Sequence, residues 1–303
     1  MRVELWIPIT IFAAFMQNLR SSLQKYLKGQ LSTTGATFSR FAYAAPLAVL
    51  YVAGLVVFGG YALPKLTNEF VIYGVLGSVA QILGTATLVY IFSFRNFAVG
   101  TTFSKTETIQ AAVFGIVVLG ELISIEATVA ILISLAGVVL ISVSQSALTM
   151  RDLATKWLDQ SALIGIASGA FFGISAVAYR AAALGLDGGD FVIRAAYTLA
   201  YVTVFQTLIM AIYMRLREPG QLTTVFKTGK ISGWVGLAGM LGSVGWFTAM
   251  TLENAAYVRA LGQIELIFTF AASYLVFGER STKLELAGIA LVTLGILALL
   301  LWR

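Results

Sequence analysis

Glu107 and Glu265 are the residues through which this chain could do chemistry. Each stands near the middle of an apolar segment, TTFSKTETIQAAVFG at 101–115 and ALGQIELIFTFAA at 260–272. A charged side chain at the centre of a bilayer costs about 3 kcal/mol on insertion scales, so such residues face an interior cavity or a neighbouring helix. On a helical period Gly100, Ser104, Glu107 and Ala111 share one face, and Val258, Gly262, Glu265 and Thr269 form its counterpart. Three uses are open to the pair: hydrogen bonds that fix helix packing, contact with a cationic or amine-bearing solute, and proton carriage. Two carboxylates close together in a low-dielectric site cannot both ionise cheaply, which suits one of them to the last role.

Other polar groups could line the same cavity. Lys105 is about 200° around the helix from Glu107, so the two cannot pair directly. It could reach Glu265, a solute carboxylate or, by snorkelling, the interface. Gln263 takes its place in the second segment. Gln81, Gln17 and Asn18 could bond a solute or tie helices together, and Trp246 could offer an aromatic wall. The candidate substrate-binding or coupling set is therefore Glu107, Glu265, Lys105, Gln263, Gln81, Trp246, Gln17 and Asn18.

The elements that must position these groups are membrane helices. Of 303 residues 59% are hydrophobic and 11% charged, against roughly 25% charged in a soluble domain. Ten segments of about 20 mainly apolar residues stand out: 4–24, 33–58, 69–92, 98–119, 123–146, 160–183, 190–214, 231–251, 255–277 and 283–302. The opening MRVELWIPITIFAAF lacks a small-residue cleavage site and reads as the first of them. With no His and no Cys there is no disulfide, no Cys/His metal site and no Ser-His or Cys-His nucleophile, so neither an enzyme nor a metal or cofactor is expected. A phosphate loop of the GxxxxGK[ST] type is also missing, so any transport is secondary. The net charge of +6 is spread between apolar runs, as expected of headgroup anchors and not of nucleic-acid binding.

An internal repeat organises the chain. RNFAVGTTFSKTETIQAAVFGIVVLGE at 95–121 and ENAAYVRALGQIELIFTFAASYLVFGE at 253–279 align without a gap at one constant offset. Asn96 meets Asn254, Glu107 meets Glu265, Gly120-Glu121 meets Gly278-Glu279, and Gly137 meets Gly295. Arg20 and Arg180 close the first helix of each half, and Arg40 and Arg194 open the second; anchoring is the simpler reading of this recurrence. Residues 1–150 and 151–303 are thus expected to be two five-helix halves. Five is odd, so the halves enter the membrane in opposite directions as an inverted repeat.

The two-copy pattern, with Gly-Glu closing the fourth helix of each half and a helix with a central Gly following it, resembles the drug/metabolite transporter superfamily, in its ten-helix EamA-type branch. The resemblance covers nearly the whole chain. It implies a substrate site between the halves, lined mainly by helices 1, 3, 4, 6, 8 and 9, and cytoplasmic termini. Lysine and arginine counts point the other way. Lys25, Lys28, Arg95, Arg151, Lys156, Arg215, Arg217, Lys227, Lys230, Arg280 and Lys283 would share one side. The side holding the termini would carry Arg2, Lys65, Arg180, Arg194, Arg259 and Arg303, and by the positive-inside rule would lie outside.

The expectation is an all-α, multi-pass protein of a bacterial inner membrane. It would act by alternating access as a secondary carrier, with export of an amino acid or derivative favoured by the resemblance and protons a candidate coupling ion. A lipid or amphiphile translocase and a non-transporting scaffold are the alternatives. A monomer is sufficient and a dimer compatible.

Overall fold

Short polar side chains set where the helices begin. Ser32 Oγ accepts from Gly35 N–H at 3.0 Å, Ser124 Oγ from Ala127 N–H at 3.0 Å, Asp190 Oδ1 from Val192 and Ile193 N–H, and Asn254 Oδ1 from Ala256 N–H at 2.8 Å. Each fills an amide that a helix start leaves without an intrahelical partner. Gly120, left-handed at φ 66°, ends a helix where a side chain would be strained. Between these marks run apolar stretches that hold their backbone bonds internally, as a bilayer requires.

The structure, a computed structural model, describes residues 4–27, 31–91, 94, 97–146, 149–227, 229–277 and 282–302. The first helices are α1 (Trp6–Leu27), α2 (Thr33–Val57), α3 (Asn68–Ile91), α4 (Phe97–Ser104) and α5 (Glu107–Leu119). Next come α6 (Ile125–Ser144), α7 (Met150–Thr155), α8 (Gln160–Gly185), α9 (Phe191–Arg217) and α10 (Gln221–Lys227). The chain closes with α11 (Gly229–Leu252), α12 (Ala255–Gly262), α13 (Ile264–Phe277) and α14 (Lys283–Trp302). Among the described residues there is no β-strand, and one isolated bridge joins Lys65 to Asp187.

Seven helical stretches are long and apolar enough to cross a membrane: Thr37–Val57, Asn68–Leu88, Ile125–Ser144, Gln160–Gly185, Phe191–Arg217, Ser232–Leu252 and Lys283–Trp302. The chain is an all-α, multi-pass membrane protein. Three other expected segments differ. α1 is long but polar in its second half, and the segments expected over 98–119 and 255–277 are each divided into two shorter helices.

Contacts divide the chain into two units, Met1–Val79 with Ala178–Glu253, and Ala80–Val177 with Asn254–Arg303. In the first, α11 packs on α1, α2 and α9, around a core of Ala44, Ala48, Leu199, Met240 and Phe247, with Tyr179 stacked on Phe247 at 4.7 Å. Gln206, fully buried on α9, donates to Tyr179 Oη at 3.0 Å.

In the second unit α6 and α14 pack through glycines. A Cβ on Gly137 would lie 2.5 Å from Gly288 O and 2.6 Å from Val292 N; one on Gly295 would lie 2.8 Å from Ala130 O and 2.6 Å from Ser134 N. The helices therefore run antiparallel with their backbones nearly touching. Such contact relies on van der Waals packing, because lipid offers no hydrophobic drive. Outside the membrane segments, Thr149 and Asp152 form a reciprocal cap on α7. Lys156, 2.7 Å from Asp152, and then Thr149 hold that carboxyl well below the usual carboxylate range.

Candidate functional site

The two divided helices carry the candidate residues at their interruptions. α4 stops at Ser104 and α5 starts at Glu107; α12 stops at Gly262 and α13 starts at Ile264. Competition for the backbone accounts for the first break. Thr101, Thr102, Ser104 and Thr106 all return their hydroxyls to carbonyls three or four residues back, and the Lys105 and Thr106 amides bond three residues back at 3.1 Å. Gln110 Nε2 then donates to Thr106 Oγ1 at 2.7 Å. At the second break Gln263 N–H bonds Ala260 O and Leu266 N–H bonds Gln263 O, again three residues back, just after Gly262. A glutamate lies in the first turn of each following helix, Glu107 in α5 and Glu265 in α13, where the helix dipole favours negative charge.

Glu107 faces a cation. Arg259 on α12 places its Nη1 3.8 Å from Glu107 Oε1, with both side chains about one-fifth exposed. That distance makes an ion pair and not a hydrogen bond. Gln263 Nε2 donates to Thr108 Oγ1 at 3.3 Å, and with Lys105 and Ser134 these two line a void of about 10 Å³. Lys105 itself is exposed. Glu265 is half-buried, and its backbone carbonyl accepts from Thr269 Oγ1. Gln81 is half-buried on α3, its carbonyl accepting from Thr85 Oγ1 at 2.9 Å.

The small-residue face that carries Glu107 packs against another helix. Gly165, Gly169 and Gly173 of α8 meet the backbones of Gly100, Ser104 and Ala111, and a Cβ on Gly173 would come within 3.3 Å of Glu107 O. Small residues on both sides let these helices approach to backbone contact.

The remaining candidates lie in the first unit. Trp246, buried on α11, donates its indole N–H to Gln17 Oε1 on α1 at 3.0 Å. Asn18 is half-buried, one position on. Between α2 and α9 runs an open apolar groove of about 630 Å³, lined among others by Val49, Val56, Leu63, Tyr201, Phe205 and Leu208. Arg180 on α8 donates to Met250 O at 2.6 Å and Glu253 O at 2.7 Å, filling carbonyls at the end of α11.

Sequence reasoning counted Arg259 among the helix-end basic residues and missed its pairing with Glu107. The available signal was a guanidinium six positions before Glu265 in an otherwise apolar run. Asn96, Gly278, Glu279, Arg2, Lys28, Arg95, Arg280 and Arg303 lie outside the described residues. Among the described residues no three His, Cys, Asp or Glu gather as a metal-binding group. The second unit thus offers a partly buried ion pair and an amide beside a helix break, and the first an indole–amide pair.

No family model and no curated protein matches the chain. One solved structure, described as "Crystal structure of protein", is similar to it over 98% of this chain and 97% of its own, at a TM-score of 0.68 and 15% identity. The chain shares the fold of that protein.

Proposed function

We propose that the chain is a secondary carrier for a small organic solute, built as ten membrane segments in two inverted five-helix halves and working by alternating access. The observation that carries this reading is the pair of interrupted helices, each with a glutamate in the first turn after its break. Irregular backbone at membrane depth is tolerated where it is buried in protein or lines a cavity, and discontinuous helices of this kind mark carrier sites.

Two further features support the inverted repeat. α4 and α12 share their bounds at an offset of 158 residues, the separation of Glu107 from Glu265, and so do α6 and α14. Gly137 also meets Gly288 and Val292, which are the offset mates of Ala130 and Ser134, while its own mate Gly295 meets Ala130 and Ser134. That reciprocity between antiparallel helices is what a twofold axis in the membrane plane produces. It agrees with the resemblance to EamA-type transporters, which favours export of an amino acid or derivative across a bacterial inner membrane. Glu107, Glu265, Lys105, Gln263, Gln81, Gln17, Asn18 and Trp246 remain the candidate solute and proton groups, and Arg259 joins them.

A second reading, a lipid or amphiphile translocase, is favoured by the apolar groove between α2 and α9. One experiment separates the two. The purified protein is melted with amino acids, amines, quaternary cations and lysolipids at pH 6 and pH 8; a ligand of the folded state raises the midpoint by mass action. The carrier reading expects a polar solute to stabilise the wild type and to lose its effect in Glu107→Gln or Glu265→Gln. Stabilisation by lysolipids alone supports the translocase. Earlier melting of the Glu→Gln proteins with no stabilising ligand counts against both.

A further inference from the structure

Lys65 and Asp187 tie two connectors of the first unit together. Lys65 N–H donates to Asp187 O at 2.8 Å and Asp187 N–H to Lys65 O at 3.2 Å, so the chain leaving α2 lies beside the chain entering α9. The two helices pack on each other and run antiparallel from this point. The apolar groove of about 630 Å³ between them begins there, at Val57, Leu63 and Tyr197, and ends at Val49 and Leu208. Tyr197 and Leu208 are eleven residues apart, about 16 Å at 1.5 Å per residue, close to half of a hydrocarbon core of roughly 30 Å. The groove thus runs from one end of the span to about its middle.

Both walls hold their shape. On α2, Val49, Val52 and Val56 recur at three and four residues and present one face of β-branched side chains, stiff at χ1. On α9, Tyr197, Tyr201 and Phe205 recur every fourth residue. Phe70 of α3, fully buried, meets Tyr197 at 5.8 Å and Tyr201 edge-on at 4.9 Å, and Tyr201 stacks nearly parallel to Phe205 at 6.5 Å. Gly74 makes room for this wall, since a Cβ there would lie 2.9 Å from Tyr201 Cε1. The aromatic side is therefore braced from behind, and the small side chains of Ala53 and Ala200 leave space between the walls. Two tyrosine hydroxyls apart, every lining side chain is apolar.

We propose that the groove seats one acyl chain of a zwitterionic phospholipid, drawn from the leaflet on the side of the Lys65–Asp187 bridge. Three observations select that occupant. An apolar lining leaves the polar groups of a charged solute without partners. A groove that stops near mid-span suits a chain that enters from one interface and ends at the bilayer centre, whereas a helix of a second copy would need a seat along the whole span. The residues at its outer end carry both signs of charge: Lys65 and Asp187 at the bridge, Asp190 and Arg194 at the start of α9. A phosphate and an ammonium group each meet an opposite charge there. Seating a chain requires only a bilayer around the protein, and neither carrier nor translocase activity.

The test places the full chain in nanodiscs doped with phosphatidylethanolamine that carries a photoactivatable diazirine at one of two depths, beside the ester or at the chain end. Labelled peptides are mapped by mass spectrometry. Residues 49–57 and 197–208 should take up about fivefold more label per residue than the exposed faces of α6 and α14. The ester-proximal probe should mark Val57 and Tyr197, and the chain-end probe Val49 and Leu208. Ala53→Phe fills the groove from an exposed position and should bring its labelling down to the level of α6 and α14. Leu132→Phe, also exposed but on α6, should leave it unchanged. If Ala53→Phe fails to fold, Val49→Phe narrows only the inner end and should cut labelling by the chain-end probe alone. Unlabelled phosphatidylethanolamine should compete better than phosphatidylglycerol; the reverse order overturns the choice of headgroup. Labelling no higher than on α6 and α14, no ordering by depth, or no response to either Phe variant overturns the site. Cross-links between two copies through 49–57 in place of lipid labelling overturn it as well, and assign the groove to a second chain.

Discussion

Arg259 and Glu107 lie 152 positions apart in sequence, on α12 and α5, and their charged groups stand 3.8 Å apart. Each neutralises in the other a charge that partial burial would penalise. With both side chains about one-fifth exposed, the pair falls between a surface ion pair and a buried one.

Removing both partners should therefore cost less than the two single removals added together. Arg259→Gln or Glu107→Gln alone is expected to destabilise the protein by about 1–3 kcal/mol, and the double variant by less than the sum. Detergent melts of the four proteins give the coupling energy directly. A coupling of zero would show that the two groups do not interact.

The α6–α14 contact makes a steric prediction. Gly137→Ala and Gly295→Ala each drive a methyl into opposing backbone, and each should cost about 1–3 kcal/mol, the range for overpacking. Because each glycine meets the offset mates of the residues that face the other, the two costs should be similar. Gly115, with open space around its Cβ position, is the control: Gly115→Ala should be neutral or slightly stabilising. Melting midpoints of the three variants check this.

Arg180 predicts the stability of the end of α11. Its Nη1 accounts for two short bonds to the carbonyls of Met250 and Glu253, so Arg180→Gln should cost about 1–3 kcal/mol. Arg180→Lys keeps the charge but loses the planar fork, and should recover part of the loss. Faster amide exchange confined to the end of α11 is the expected signature. Unchanged exchange there would assign the arginine another role.

Asp152 gives a pH prediction outside the membrane segments. Its folded carboxyl titrates below its ordinary value of 3.8, so folding favours the ionised form. The sign follows from linkage: the contribution to α7 is fully present above about pH 4 and is lost as pH falls through the lowered folded value. Amide exchange over Met150–Thr155 should be flat in relative protection from pH 7 to about 5. At neutral pH it should be faster in Asp152→Asn, which keeps the shape but gives up the ion pair with Lys156.

The sequence displayed the long spans well, since α2, α6, α9 and α14 are unbroken helices over mainly apolar runs with Ser, Asp or Glu at their starts. It hid the breaks at Lys105 and Gln263. Hydrophobic periodicity continues straight through both positions, and what ends α4 is the summed pull of four hydroxyls on its own backbone, a local competition that averaging over a window erases. The ion pair was hidden differently. Glu107 was conspicuous as a lone charge, but nothing local says which distant guanidinium reaches it. Similarly, the face of Gly100, Ser104 and Ala111 read as room for a ligand or for a helix. The glycines of α8, four residues apart, close it with backbone.

The reciprocal glycine contact has one more consequence. α6 and α14 belong to one chain, yet they meet much as the subunits of an isologous dimer do, each offering the other the equivalent positions around a glycine. The register of such an interface is set by its two glycine contacts as well as by the covalent chain. Cut in the connector before α7 and supplied as two polypeptides, the chain would still carry α6 on one piece and α14 on the other, with their glycine contact to rejoin.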